Sequence, residues 1–468
     1  MSSDSSGISI RKKIGMASIV LMGLGVLSPM GPVTIYGPIQ QMTGGHMSLA
    51  FLIALIPMIF VAYVYGIFAA EFPRAGASYT FASKGLGSYV GFITGWLFIL
   101  DYCLVPLMSF LITAIYFCSI FPSVNPYLIK AVFLAVCLIL NLRTIKAVEK
   151  FNNVITAFAA GIMIVFIILG FTVLSGGGAH GVATANGFYN PETFSWGTIF
   201  AGAAVCCFNF MGFDALTVLA EDVDKPRKTL PKSLILVCVI MAVFFALSGG
   251  IGQAIYPDYN SYSAFDAAML DPMFVAGGQT LVTIVSIGMC VAMFTVMVDM
   301  MAASSRLLYA MGRDGALPRK FFGYENPKTH VPTHNVLLLA AFSAIFMWAD
   351  VNVVITMITF GGLLAYTIVN LSAFRYFWFI KKDRKGAKVI GHLILPLIGF
   401  VFCGYLWLSL GTYAQIVGFS WLAVGIIYMV IKSRGFKRPM AQYAAEVEAE
   451  LSKQEAADTQ IQAATANN

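Results

Sequence analysis

The chain has 468 residues, 59% of them hydrophobic and only 11% charged, with a net charge of +7. A soluble domain carries about a quarter charged residues, so a water-soluble enzyme or binding module is excluded. Charged residues are absent from Lys13 to Glu71 and again from Lys150 to Glu192, gaps long enough to hold segments that cross a bilayer.

Only helices or closed barrels satisfy the backbone in lipid, and these apolar runs show no period-2 alternation. The fold class is therefore an all-α polytopic membrane protein, and twelve spans are predicted in chain order. Residues 1–13 form a cytoplasmic N-terminus with no cleavable signal expected, because the first apolar run is too long and lacks a small-residue cleavage site. The first span, 14–43, holds Gly23, Gly25, then Ser28-Pro29-Met30-Gly31-Pro32 and Gly37-Pro38. Proline removes a donor and clashes with the preceding turn, and glycine lets the chain leave helical dihedrals, so this span is predicted to unwind near its middle. Gly23, Gly25 and Gly95 need no more than close helix packing, which does not require two prolines.

Spans at 48–70, 88–120, 127–144 and 152–174 follow. The sixth, 197–221, is interrupted at Cys206-Cys207-Phe208-Asn209-Phe210-Met211-Gly212-Phe213-Asp214. The remainder lie at 232–255, 279–312, 334–350, 352–376, 389–410 and 415–432. Interrupted helices at corresponding positions of two halves point to a transporter's binding site. Spans 1 and 6 are five apart, which predicts a 5+5 inverted repeat: 14–174 and 197–376, with 389–432 added outside it. The tail, 433–468, is rich in Ala, Glu and Gln from about Ala441 and reads as a frayed cytoplasmic helix or disorder.

The basic residues explain the net charge without a nucleic acid. Of 29 Lys and Arg, 28 fall in alternate loops or at the termini, and Lys130 alone lies on the opposite side. That is the positive-inside pattern, and an even number of spans puts both termini in the cytoplasm. Cysteines 103, 118, 137, 206, 207, 238, 290 and 403 all lie inside predicted spans and form no CxxC, so core thiols are expected. The five histidines make no ligand spacing, and neither a metal nor a cofactor is expected.

An unwound helix at mid-membrane turns backbone groups toward a cavity. The half-helix after the break offers N–H groups and a positive dipole end, and the half before it offers carbonyls. A zwitterion suits this pair, with no Lys or Arg needed. Three carboxylates lie within spans: Asp101, Asp214 and Asp299. Each costs roughly 2.5–3.5 kcal/mol at the bilayer centre and needs a reason: a counter-ion for a substrate amine, a proton-loading group, or a structural hydrogen bond. Phe208, Phe210, Phe213, Tyr102 and Tyr36 are the aromatics nearest the breaks and acids, as a lid or cation-binding wall; Phe208, beside the break, is the strongest of them.

These motifs resemble a known family. Glu71-Phe72-Pro73-Arg74-Ala75-Gly76-Ala77-Ser78-Tyr79-Thr80-Phe81 is similar to the signature after the second helix of amino acid–polyamine–organocation permeases. Phe208 to Asp214 is similar to that superfamily's broken sixth helix, and Glu221-Asp222 through Lys225-Pro226-Arg227 and Pro231 to the loop after it. Ser305-Arg306-Leu307-Leu308-Tyr309-Ala310-Met311-Gly312-Arg313-Asp314-Gly315 with Pro318 is similar to its eighth-helix end. The resemblance covers about 12–435 and is strongest to bacterial putrescine importers, through Gly95-Trp96, Leu100-Asp101-Tyr102 and the run Arg306 to Gly323-Tyr324.

The resemblance implies the bacterial leucine-transporter fold, alternating access, proton coupling or exchange, and a place in the cytoplasmic membrane of a bacterium. It implies substrate contacts at Ser28, Met30, Gly31, Phe208 and Phe213, with Phe208 capping the substrate and Asp214 beside the site. The substrate site expected from motifs and resemblance together is Ser28, Met30, Gly31, Thr34, Tyr102, Phe208, Asn209, Gly212, Phe213 and Asp299, with Asp101 and Asp214 as proton-coupling candidates. Two departures stand out. Thr34 occupies a position where putrescine importers are expected to have an aspartate, which would remove a diamine's second counter-ion, and Asp299 appears where no acid is expected. Ala159 stands where some proton-coupled members carry a lysine.

The expected function is a secondary permease for a small amino acid or organic amine, with a proton and the lipid bilayer as its other partners. A channel or receptor would need a polar pore stripe or a large ligand-binding domain. A membrane enzyme would need a nucleophile–base or metal spacing. The sequence contains neither.

Overall fold

The computed structural model describes residues 14–73, 77–143, 147–176, 187–221, 223–313, 317–386 and 388–436. The predicted N-terminal segment, most of the tail, Arg74 to Gly76 of the second-helix signature and Asp314-Gly315 lie outside them. Among the described residues no strand occurs, only an isolated bridge between Ile14 and Val223.

Each predicted span is helical. α1 (Met16–Val26) and α2 (Gly31–Thr43) are two arms of the first span, bent by 54° at the residues between them. α3 is Met47–Glu71, and α4 (Ala77–Leu86) is a short helix outside the predicted spans. α5 (Ser88–Ile120) has the predicted limits. α6 is Pro126–Leu142, started by Asn125, whose side chain accepts from the Tyr127 amide, and by Pro126 at the first helical position. α7 is Ala147–Ser175.

The sixth span splits into α8 (Trp196–Cys206) and two 3₁₀ stretches, Cys207–Phe210 and Phe213–Glu221. α9 (Pro226–Ile255) and α10 (Leu270–Arg313) follow, α10 interrupted at Gly278 by a left-handed residue. Next are α11 (Arg319–Phe322), α12 (Thr333–Ile345) and α13 (Val351–Ala373), which runs on as a π-turn over Phe374–Ile380. α14 (Leu395–Leu408) and α15 (Thr412–Lys432) close the described chain. Among the described residues, eight helices are long and apolar enough to cross a membrane, or nine when the bent pair α1–α2 is counted as one span. The helices at Pro126–Leu142, Trp196–Phe210 and Thr333–Ile345 are apolar but shorter.

Packing pairs elements five spans apart. α3 lies on α9, α5 on α10 and α6 on α12, while α1 and α2 lie against the two halves of the sixth span. Small residues bring these backbones together: a Cβ on Gly66 of α3 would stand 2.5 Å from the Pro231 Cα of α9. The outer helices show Phe158 and Ile168 of α7, Val401 of α14 and Ile427 and Ile431 of α15 at the surface, as lipid-facing helices do. α15 is held to α5 by a reciprocal pair. The Trp96 and Trp421 rings stack at 4.8 Å, and each indole N–H donates to the other residue's carbonyl, at 3.0 and 3.1 Å.

At the end of the bundle that carries the basic loops, Glu71 at the close of α3 accepts from Arg227 of α9 at 3.3 Å and from Lys381 beyond α13. Arg375 donates to the Gly85 carbonyl of α4 at 2.8 Å. One carboxylate and one carbonyl thus tie α3, α4, α9 and the end of α13 together at that surface.

Candidate substrate site at the paired helix breaks

The first break follows from its prolines. The α1 ladder ends with the Leu27 amide on the Gly23 carbonyl at 3.0 Å and the Ser28 amide on Gly25 at 3.3 Å. Pro29 and Pro32 bring no N–H to continue it. Ser28 takes a left-handed φ of 49°, a conformation a non-glycine residue adopts only under local strain. The chain restarts with Gly31 N–H donating to the Ser28 carbonyl at 2.9 Å, and α2 opens there without a side-chain cap. The Tyr116 hydroxyl of α5 donates to the Val33 carbonyl at 2.9 Å and steadies this first turn.

In the sixth span the helix tightens to 3₁₀ over Cys207–Phe210 and then stops, with Met211 extended and Gly212 at φ 103°. That φ is open to glycine and strained for any L side chain. The Met211 amide closes on the Phe208 carbonyl at 3.0 Å and the Ala215 amide on Gly212 at 3.0 Å.

The two breaks face each other. A Cβ on Gly31 would stand 3.1 Å from both Cγ and Nδ2 of Asn209 and 3.3 Å from Cζ of Phe245. A Cβ on Gly212 would stand 3.2 Å from Cγ1 of Val26. Met30 reaches toward Gly288 of α10, and Met211 seats on Gly362 of α13, so the paired breaks are flanked by both helices. Asn209 is 5% exposed and its Nδ2 has no hydrogen-bond partner. Ser28 and Phe208 are half-buried beside the breaks. The Thr34 hydroxyl donates to the Gly31 carbonyl at 2.7 Å, so its proton is already committed to its own helix.

Two of the three spanning carboxylates, Asp101 and Asp214, lie within reach of each other. Asp214 is buried and accepts from the Tyr366 hydroxyl of α13 at 3.2 Å, while its carbonyl accepts from Thr217 at 2.6 Å. Phe213 is fully buried with its ring against Tyr65 (5.9 Å) and Tyr366 (5.8 Å), part of the aromatic wall around that acid. Asp101 and Tyr102 of α5 lie within electrostatic reach of Asp214, and the Tyr102 carbonyl accepts from Ser304 of α10.

Asp299 stands on α10. It lies eleven positions past Gly288, about 16 Å along α10, within reach of Cys137 on α6. Its neighbour Val298 accepts from Asn141 of α6 at 3.3 Å, which marks the α10 surface turned toward α6. Asp299 thus lies on the stretch of α10 between Gly288, which Met30 approaches, and Ser304, which donates to the Tyr102 carbonyl. Among the described residues no group of three or more His, Cys, Asp and Glu gathers as a metal site. Tyr65, Tyr366, Gly288 and Phe245 surround the breaks without having been singled out in the sequence, where the Gly361-Gly362 pair of span 10 was the one available signal.

The comparisons with known proteins give the family. The family model described as Amino acid permease matches residues 14–432. The chain is 32% identical to the low-affinity putrescine importer PlaP of Escherichia coli (strain K12), over 94% of this chain and 98% of that protein. It is 24% identical to the branched-chain amino acid permease BcaP of Bacillus subtilis (strain 168), over 91% and 94% of the two chains. It is 23% identical to the methylthioribose transporter of the same strain, over 93% and 96%. With paired breaks in its first and sixth spans and a match across nearly its whole length, the chain belongs to the amino acid permease family of the amino acid–polyamine–organocation superfamily.

Proposed function

We propose that this chain is a secondary permease that imports a small amino acid or organic amine across a bacterial cytoplasmic membrane by alternating access. The observation that carries the proposal is the meeting of the two breaks at Gly31 and Asn209 inside a family of permeases. The substrate sits between them. The carbonyls that end α1 and the 207–210 turn receive an ammonium, and the positive dipole end of α2 favours an anionic or polar group. Ser28, Met30, Gly31, Asn209 and Gly212 line this position, Thr34 and Phe213 back it, and Phe208 caps it.

Twelve crossings in two inverted repeats, 14–174 and 197–376, with 389–432 outside them, are supported by the five-apart pairing of α3 with α9, α5 with α10 and α6 with α12. The basic loops then put both termini in the cytoplasm. Asp214 and Asp101, within reach of each other and of Tyr366, are the groups that load and release a coupling proton. A second reading, a putrescine importer, is favoured by the 32% identity to PlaP.

Uptake into proteoliposomes tests the proposal. A panel of radiolabelled amino acids and amines should include at least one that accumulates under an inward proton gradient and is released by a protonophore. Accumulation of none of them, with the protein folded and inserted, would remove the permease reading.

A further inference from the structure

We infer that Asn209 is the specificity-determining residue of the paired-break site, and that it selects a substrate carboxylate over a second ammonium. The inference rests on the reading of the paired breaks as the substrate position. Asn209 is 5% exposed, yet its Nδ2 meets no acceptor. A buried donor left unpaired costs stability unless something arrives to accept from it. The unpaired nitrogen lies over Gly31, where α2 opens without a side-chain cap. A side-chain donor and the positive end of the α2 dipole therefore meet in one place, and an anionic oxygen is favoured by both.

The carboxylates that could hold a second ammonium are elsewhere. Asp214 accepts from Tyr366 within the Tyr65–Phe213 aromatic wall, and Asp101 lies within electrostatic reach of it. Asp299 lies eleven positions past Gly288, about 16 Å along α10 from the residue that Met30 approaches. At position 34 stands a threonine whose proton is spent on the Gly31 carbonyl. One ammonium finds backbone carbonyls at the breaks; a second would face the Asn209 donor. A site built to hydrogen-bond one group rejects analogues lacking it, because the site's own polar atom is then stranded. The substrate class is thus an amino acid, in preference to the amine left when its carboxyl group is removed.

Matched pairs isolate that single group: L-ornithine against putrescine, L-leucine against 3-methylbutylamine, and L-alanine against ethylamine. With the full chain in proteoliposomes, the carboxylated member of the best-transported pair should compete at least about tenfold more strongly than its partner, as one charge-assisted hydrogen bond provides. Asn209→Ala should cut that ratio by about tenfold, and Asn209→Asp, which replaces the donor with an acceptor of the same shape, should reverse it. Selectivity is the readout because a purely structural asparagine would lower uptake of both members together. The wild-type ratio needs no variant, so misfolding of either substitution does not shield the inference. A wild-type preference for the amine member, or a ratio unmoved by both folded variants, overturns it alone. Failure of every pair to bind overturns the site reading as well.

Discussion

Tyr366 of α13 donates its phenolic hydrogen to Asp214 at 3.2 Å, joining a continuous helix to the broken sixth span two residues past Gly212. The bond couples the two elements at the point where one of them is able to bend. Hydrogen bonds to a charged group are worth about 1.5–3 kcal/mol, so its loss alters how Asp214 is held without altering the volume of the site. Tyr366→Phe is expected to shift the pH dependence of proton-driven uptake. Asp214→Asn is expected to abolish proton-driven accumulation while substrate counterflow persists. Measuring both modes in the same vesicles checks the assignment, and loss of counterflow together with accumulation would count against it.

The close approach at Gly31 makes a steric prediction. Gly31→Ala places a methyl 3.1 Å from the Asn209 amide and 3.3 Å from Phe245, so the two breaks must move apart. Uptake is expected to fall by about tenfold or more, the scale on which small misplacements at a site act. Gly161→Ala is the control, since nothing lies within 4 Å of that position in α7 and alanine favours a helix by about 1 kcal/mol. Equal losses from both substitutions would deny Gly31 any special place.

Asp299 provides a test in the opposite direction. Because it stands about 16 Å along α10 from Gly288, the residue that Met30 approaches, Asp299→Asn is expected to leave apparent substrate affinity unchanged within about twofold, even if turnover changes. Equilibrium binding to the purified variant measures this, and a tenfold loss of affinity would return Asp299 to the site.

The Trp96–Trp421 pair predicts a graded loss of stability. Trp421→Phe removes one indole donor, worth about 1 kcal/mol. Trp421→Ala also removes the ring stacked at 4.8 Å and empties the contact between α5 and α15. Thermal unfolding in detergent should rank wild type above Trp421→Phe and that above Trp421→Ala, with substrate affinity little affected.

Legibility in the sequence followed the range of the interactions involved. α5 was readable to the residue because an uninterrupted apolar run has one way to satisfy its backbone in lipid. The two breaks were readable because proline and glycine act locally, at Pro29 to Pro32 and at Gly212. α4 was missed because a ten-residue helix with mixed polarity leaves no apolar run to detect. The early start of α10 at Leu270 was hidden by Gly278, which separates its first turns from the apolar stretch. The Asp214–Tyr366 bond, like the Glu71–Lys381 pair, joins residues far apart in the chain, where spacing carries no signal. Asp299 shows the converse: its depth in a span was legible, but the helix it faces was not.

A substrate-bound density map of the protein in lipid tests the central claim most directly. The account predicts both helices interrupted, at residues 27–30 and 211–212, with the solute seated between them in contact with Gly31 and Asn209. Solute density elsewhere in the bundle, or two unbroken helices passing through the bilayer, would contradict it.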